Sequence, residues 1–248
     1  MTNRQNEIYE EIRNKFIKII DENNLNTDLV EIESRGLSAQ EAIGNTERKD
    51  YPILVGKEIM LQAKYKGSIG QAFTPAPLSF SGTIEDVLNL DLNSDLTNRG
   101  IFIATINAVL KYLNLSQSSI HCKDKEPGEC AKKYLEFLNE NYANKKVLLV
   151  GLQPGILSQI KKRGNIRVLD LNPDNIGKYK ESILIEDGIK NYQECVNWAD
   201  LILCTGSVFA NGSMDLYLDI DKEVVFFGTS CSGPAYLLNL KRFCPLSK

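Results

Sequence analysis

KKVLLVGLQPG, residues 145–155, is the stretch that decides the fold of this chain. Two lysines lead into the apolar run Val147–Val150, which ends at Gly151 and is followed by Pro154 and Gly155. A short run of valine and leucine that glycine interrupts is typical of a strand buried on both faces. Proline fits the first turn of a helix, where its missing N–H costs nothing. The segment therefore predicts a strand, a turn and a helix.

The rest of the C-terminal half alternates in the same way. The predicted strands are Val147–Val150, Ile166–Leu169, Leu201–Cys204 and Val224–Phe227, and the predicted helices are Gly155–Arg163, Gly188–Trp198, Met214–Leu218 and Pro234–Leu240. This alternation indicates a Rossmann-like α/β domain with a mostly parallel sheet, which we place at residues 144–248. In such sheets ligands bind beyond the carboxyl ends of the strands.

Residues 1–143 predict a separate α+β domain. It contains an amphipathic helix over about residues 4–24, two strands and two later helices: Leu29–Ile32, Glu58–Tyr65, Asp95–Leu113 and Cys130–Tyr142. Thr83 followed by Asp86 predicts a helix cap with an acidic first turn. The segment GSIGQAFTPAPLSFSG, residues 67–82, is rich in glycine, proline and serine, and it predicts a binding loop.

The composition excludes several classes of protein. The chain has 248 residues, of which 43% are hydrophobic and 25% charged, as in ordinary globular proteins. A net charge of −3 gives no basic stripe, so nucleic acid is not an expected partner. No stretch approaches the roughly 20 apolar residues of a membrane span, and the polar N-terminus lacks a signal-peptide core. We therefore expect a cytoplasmic protein that does not enter a membrane.

The six cysteines are expected to be thiols, and none forms a C-x-x-C pair that would indicate a zinc ribbon. His121 and Cys122 are adjacent, and Cys130 follows eight residues later. Imidazole and thiolate both bind zinc, copper or nickel. Because adjacent strand residues point to opposite faces, a tetrahedral site needs a further ligand, for which Cys231 is the candidate. The alternative for Cys231 is an inert buried thiol.

Small, polar or acidic residues follow each predicted strand. The first turn lacks the middle glycine of G-x-G-x-x-G, which disfavours nicotinamide binding, although a helix N-terminus can hold an anion. An acidic residue after the second strand can accept hydrogen bonds from ribose hydroxyls. For each loop the alternative is a plain tight turn. The candidate ligand-binding residues in these loops are Gly151, Pro154, Asp170, Asn172, Thr205, Gly206, Ser207, Asn211, Gly228, Thr229 and Ser230.

Taken in order, these motifs resemble the heavy-metal-chelation family. The resemblance rests on Phe80–Asp86, Ala104–Ala108, His121–Cys122, Val150–Gly151 with Pro154, Asp170–Pro173, Thr205–Ser207 with Asn211–Gly212, and Gly228–Ser230 with Pro234. It implies an enolase N-terminal-like domain, a Rossmann-like domain, and a cleft between them that binds a metal or a metal-bearing small molecule. It also adds Ser81, Gly82, Thr83 and Asn107 to the ligand-binding candidates. The alternatives are that Thr83 caps a helix and that Asn107 satisfies buried backbone.

Two functional hypotheses follow. The first is a protein that binds or chelates a transition metal or a metal-bearing small molecule, with His121, Cys122 and Cys231 as metal ligands. The second is an enzyme that acts on an anionic or nucleotide-like molecule held by the Gly/Ser/Thr loops, with Glu85 or Asp86 as acid or base. A weaker third is a regulatory module that senses such a ligand. The sequence leaves turnover open, and a symmetric homodimer is compatible with a protein of this size.

Overall fold

The computed structural model describes residues 2–32, 37–55, 59–74, 79–93, 95–116 and 118–248. Within these ranges the helices are α1 (Asn3–Asn23), α2 (Ala39–Ile43), α3 (Ile84–Leu88), α4 (Leu96–Tyr112), α5 (Glu126–Asn141), α6 (Pro154–Ile160), α7 (Tyr192–Trp198), α8 (Val208–Asn211) and α9 (Ser232–Leu237). The strands are β1 (Leu29–Ile32), β2 (Ile59–Tyr65), β3 (Ser68–Thr74), β4 (Phe80–Thr83), β5 (Val147–Val150), β6 (Ile166–Asp170), β7 (Tyr179–Lys180), β8 (Ile183–Asp187), β9 (Leu201–Thr205) and β10 (Glu223–Phe227).

The described strands form two sheets. The first is antiparallel, with the order β3-β2-β1-β4. The second has the order β10-β9-β5-β6-β8-β7, in which all neighbours are parallel except β7, which pairs antiparallel with β8 at the edge. The chain is therefore α+β with a mostly parallel C-terminal sheet, as the sequence predicted. The chain runs outward from β5 to β8 and then returns to β9 on the other side of β5.

Helix α4 lies between the two sheets. It packs against β2 and β3 on one side and against α8 and α9 on the other. Twelve of its 17 residues are buried, which explains why apolar side chains occur on all of its faces. Asn107 in its middle is fully buried and binds backbone of both layers. Its Nδ2 donates to the Gln71 and Thr229 carbonyls at 2.9 and 3.0 Å, and its Oδ1 accepts from Gly233 N at 2.6 Å.

Alternate residues of the parallel strands face two different layers. Leu148 and Val150 belong to the core that contains α4, whereas Val147 and Leu149 pack in a second core with α5 and α6. This alternation is what a strand covered on both faces requires. Helix α5 thus shares a core with the parallel sheet, although the predicted boundary after residue 143 assigns it to the first domain.

Several predicted elements differ from the structure. The described part of residues 67–82 forms strands rather than a loop, because it contains all of β3 and most of β4; residues 75–78 and the predicted strand residue Glu58 lie outside the described residues. Helix α7 begins at Tyr192 rather than Gly188, and a 3-10 turn replaces the helix predicted from Met214. The cap at Thr83 is confirmed, since Thr83 and Asp86 form a reciprocal capping box. Throughout the described ranges, every helix is too short or too polar to cross a bilayer.

Candidate functional site

A cavity of about 580 Å³ lies beyond the carboxyl ends of the parallel strands. The ends of β5, β6, β9 and β10 line it on one side, through Val150, Leu169, Thr205 and Phe227. On another side it is lined by side chains from the N-terminal half and α5, which are Ile43, Tyr51, Ile53, Phe73, Thr74, His121, Cys122, Cys130 and Tyr134. Open α/β sheets bind ligands at this position, where the strand order reverses.

The strands β5 and β9 flank the point of reversal, and the loops that follow them touch. Gly151 has φ of +81°, a conformation that glycine adopts without strain. A Cβ at this position would lie 2.6 Å from Thr205 Cγ2, so a larger residue would also collide with the neighbouring strand. Glycine is therefore required here for both backbone conformation and close packing.

Asp170 at the end of β6 ties the same loops together. Its Oδ2 accepts a hydrogen bond from Leu152 N at 2.7 Å, and its Oδ1 accepts one from Asn172 N at 2.6 Å. The carboxylate lines the cavity, but both of its oxygens already bind backbone N–H groups. Asp170 thus holds the strand-end loops in place in addition to facing any ligand.

The turn before α6 is not an open anion site. Gln153 Oε1 accepts a hydrogen bond from Ile156 N at 2.7 Å, and Pro154 contributes no N–H. A Cβ on Gly155 would lie 2.7 Å from the Tyr51 hydroxyl oxygen, so the N-terminal half closes over this turn. Among the described residues that line the cavity there is no lysine or arginine. These features do not favour a phosphate or another multiply charged anion.

The groups at the cavity from the ends of β9 and β10 are neutral. Thr205 Oγ1 donates to Ser207 Oγ at 3.2 Å, and Asn211 Oδ1 accepts from the Ser213 hydroxyl at 2.7 Å. Ser230 Oγ accepts from Phe73 N at 2.9 Å, which fixes β3 against the loop after β10. The structure brings these predicted residues to one cavity: Gly151, Asp170, Asn172, Thr205, Gly206, Ser207, Asn211, Gly228 and Ser230. It offers a ligand mainly neutral hydrogen-bonding groups on an apolar wall.

Other predicted residues do not line this cavity. Ser81, Gly82 and Thr83 lie on β4, which is at the opposite edge of its sheet from β3. Three strand spacings of about 4.8 Å place that edge about 14 Å from β3. Glu85 and Asp86 lie in α3, which directly follows β4 and so begins at the same edge of the sheet. Asn107, Pro154 and Thr229 are buried in the packing around the site instead.

Cys231, the third predicted metal ligand, also lies away from the cavity lining. Its side chain is fully buried, and its Sγ donates to the Phe227 and Gly228 carbonyls at 3.4 and 3.3 Å. Burial raises the pKa of this thiol to about 11, which keeps it protonated at neutral pH. The structure therefore does not bring Cys231 together with His121 and Cys122.

We use the term thiol corner for His121, Cys122, Cys130 and Cys244, which all line one part of the cavity. His121 Nδ1 lies 2.6 Å from the Cys122 carbonyl oxygen. Because a carbonyl accepts hydrogen bonds, Nδ1 carries the proton and Nε2 keeps its lone pair in the neutral ring. Burial lowers the pKa of His121, which favours that neutral form.

Cys122 and Cys130 form a pair within the thiol corner. Their side chains share a hydrogen bond, which raises the pKa of Cys122 and lowers the pKa of Cys130. Across the described part of the chain, no group of three or more His, Cys, Asp or Glu side chains is arranged to hold a metal ion. A closed tetrahedral metal site is thus not formed by these residues.

Sequence reasoning did not name Cys130 or Cys244 as a ligand and did not place Tyr51 at the site, whereas Phe73 lies in the segment 67–82 that the sequence predicts to be a binding loop. A signal for Cys130 existed, since Cys130, Tyr134 and Leu138 recur every four residues along α5 and all three are buried. The predicted helix began at Cys130, whereas α5 begins at Glu126 with Pro127 in its first turn. An earlier start would have placed Cys130 on the buried face of this helix. No comparable pattern marks Tyr51.

The fold and the cavity define a small α+β protein with a ligand-sized site at the ends of a mostly parallel sheet. Residues 133–237 match the DUF364 family, which is described as "Putative heavy-metal chelation". This match confirms the resemblance that the sequence motifs predicted. No curated protein matches the chain.

Two solved structures of DUF364 proteins resemble the chain. A protein of unknown function from Pyrococcus horikoshii is 16% identical, with a TM-score of 0.56 over 91% of this chain and 80% of that one. A second protein of unknown function, from Desulfitobacterium hafniense DCB-2, is 12% identical, with a TM-score of 0.47 over 73% of each chain. The likeness to the Pyrococcus protein concerns the fold.

Proposed function

We propose that this protein binds a small, metal-bearing molecule in the cavity between the strand-end loops and the thiol corner. One observation carries the proposal: the loops after β5, β6 and β9 and the thiols of Cys122 and Cys130 line the same space of about 580 Å³. This volume is in the range of ligand pockets, which are mostly apolar with a few placed polar groups. The description of the family as heavy-metal chelating supports the metal-bearing part.

The alternative from the sequence, an enzyme acting on an anionic or nucleotide-like molecule, receives less support. The described lining contains Asp170 and Asp174 but no lysine or arginine, and near the turn before α6 Leu152 N binds Asp170 and Ile156 N binds Gln153. Glu85 and Asp86, its candidate acid and base, lie at the far edge of the antiparallel sheet. A neutral ligand or one with a net positive charge suits this cavity better.

The finer architecture is also part of the proposal. Numbered within the C-terminal half, the parallel strands have the order 3-2-1-4-5, with β5 as the first strand, which supports a Rossmann-like domain at residues 144–248. We assign the enolase N-terminal-like domain to residues 1–143 on the family resemblance. The six cysteines are free, which agrees with a reducing compartment and with our expectation of a cytoplasmic location.

Native mass spectrometry with elemental analysis tests the proposal. The protein is purified without oxygen, chelator or metal-affinity resin, beside the variants Ser207→Trp and Ser81→Trp. Ser207 lines the cavity, whereas Ser81 is exposed on β4, so the same substitution fills the site in one variant alone. We expect a co-purified molecule with a metal in the wild type and in Ser81→Trp, and at least about a tenfold lower occupancy in Ser207→Trp. Equal occupancy in both variants would overturn the proposal.

A further inference from the structure

We propose that Cys122 and Cys130 together form a two-coordinate site for a soft monovalent metal ion, Cu(I) or Ag(I). This inference rests on the proposed function, because the ion reaches the pair through the same cavity. It differs from the metal site predicted from sequence, which combined His121 and Cys122 with Cys231. Here the second sulfur comes from α5 instead.

The positions of the two thiols carry the argument. Cys122 lies in the segment before α5, and Cys130 lies on the second turn of that helix. The residues are 6% and 7% exposed, and both line the cavity, so an ion in the cavity can reach them while bulk solvent has little access. Both residues belong to the same buried cluster and their thiols interact, so one ion in the cavity can contact both sulfurs.

The donor set selects the kind of ion. Thiolates are soft ligands that favour Cu(I), and hard ions such as Mg²⁺ prefer oxygen. Zinc and iron centres with thiolates need about four ligands, and the described residues place no third His, Cys, Asp or Glu with the pair. Cu(I) and Ag(I) are stable with two sulfur ligands in a line. The pair therefore fits these ions better than Zn²⁺.

Charged side chains near the pair offset the negative charge that metal binding creates. When a monovalent ion replaces the protons of both thiols, two protons go to solvent and the site carries one negative charge. Lys133 acts electrostatically on Cys130, and Cys122 acts on Lys248, so two cations offset that charge. Glu126 lies near both thiols and opposes them, but Lys248 pairs with it at 2.7 Å.

A buried cysteine outside the cavity provides the control. Cys195 is fully buried in the core that contains α4 and does not line the cavity. Cys195→Ser therefore tests whether loss of any cysteine matters.

The experiment is an anaerobic titration of the reduced full-length protein with Cu(I), in competition with a colorimetric Cu(I) chelator. We expect one ion per chain in the wild type and in Cys195→Ser, and at least a tenfold weaker affinity in Cys122→Ser and in Cys130→Ser. Wild-type affinity in either of the last two variants would overturn the inference.

If circular dichroism shows that a variant does not fold, a second measurement on the wild type tests the inference. X-ray absorption of the Cu(I)-loaded wild type is expected to show two sulfur neighbours, and a shell of three sulfurs or of nitrogen and oxygen would overturn the inference.

The thiol site and the proposed function can fail independently of each other. If Cu(I) binds independently of the pair while a molecule still co-purifies in the cavity, the thiol site is wrong and the proposed function stands. If no molecule occupies the cavity in any preparation, the proposed function fails.

Discussion

The strand-end side of the cavity and the thiol corner are built in different ways. On the strand-end side, backbone groups and one carboxylate fix the loops: Gly151 packs on Thr205, and Asp170 binds two backbone N–H groups. In the thiol corner, side chains from the segment before α5 and from α5 itself approach one another across the cavity wall. The first side depends on the topology of the sheet, whereas the second depends on where α5 packs.

Because of this difference, substitutions on the strand-end side should affect stability, whereas substitutions in the thiol corner should affect ligand binding. Changes to the strand-end side disturb the loops that end several strands, so they should lower the free energy of unfolding. Changes to the thiol corner remove donors without removing a backbone support, so they should alter what the cavity binds.

Gly151→Ala is expected to destabilise the protein most. The new Cβ meets both an unfavourable positive φ and the Thr205 side chain, for a total cost of about 2–4 kcal/mol. Gly164→Ala is the matched control, since Gly164 has φ of +83° with nothing within 4 Å of an added methyl group, and it should cost about 1 kcal/mol. Urea denaturation measures both values. Equal losses would show that contact between the β5 and β9 loops does not matter.

Asp170→Asn should come next. The amide keeps the shape of the carboxylate but replaces one acceptor by a donor, which leaves a backbone N–H of Leu152 or Asn172 without its partner. Such a loss costs about 1–3 kcal/mol. The control is Asp221→Asn at an exposed position, where we expect a change within about 0.5 kcal/mol. An unchanged unfolding midpoint for Asp170→Asn would mean that this carboxylate is free for ligand binding.

Glu181→Gln is expected to have the smallest effect, and one that depends on pH. Glu181 pairs with Lys161 at 2.6 Å and with Arg48 at 3.0 Å, and so ties the segment that precedes Tyr51 to the parallel sheet. The hydrogen bond from Lys161 lowers the pKa of Glu181 below its usual value of 4.5. The unfolded state therefore takes up a proton first as the pH falls, so this stabilisation is present above pH 4.5 and is lost below it.

At pH 7 the Glu181→Gln variant should be about 0.5–1 kcal/mol less stable than the wild type. Urea denaturation across a pH series should show this difference shrinking as the pH falls below 4.5. A difference that stays constant down to pH 3 would assign the effect to packing rather than to charge.

The strand-end side could be predicted from sequence because its signals are local. Apolar runs that end in glycine or a small polar residue mark strand ends, and parallel strands bring their carboxyl ends to one edge of the sheet. The same logic predicts one shared site for Gly151, Asp170 and Thr205, and all three line the cavity. It also predicts Thr229 and Pro154 there, since sequence does not show which residues of a turn point inward.

The strands β7 and β8 were missed for a physical reason. They form a hairpin whose turn uses Glu181 and Ser182, with φ of 51° and 66°, rather than the Asn-Gly or Gly residues that usually signal such turns. For the segment 67–82 the error is the reverse, because a loop was predicted where the structure has strands. Its glycines and serines suggested a loop, but they lie in or beside β3 and β4, where Gly70 allows close contact with α4.

The thiol corner could not be assembled from sequence because its members come from separate segments. Cys122 and Cys130 are eight residues apart, but their approach depends on the start of α5 at Glu126. Cys244 joins from the C-terminal segment, and Phe73 packs edge-on against His121 from β3, with ring centroids 5.9 Å apart. Long-range packing of this kind leaves no periodic trace in the chain.

The most direct test of the central claim is a crystal structure of the protein purified anaerobically with its co-purified molecule, with anomalous diffraction measured at the edge of the metal found. Our account predicts continuous density in the cavity, with the anomalous peak in the thiol corner beside Cys122 and Cys130. A bound molecule located elsewhere, with this cavity holding water alone, would contradict it.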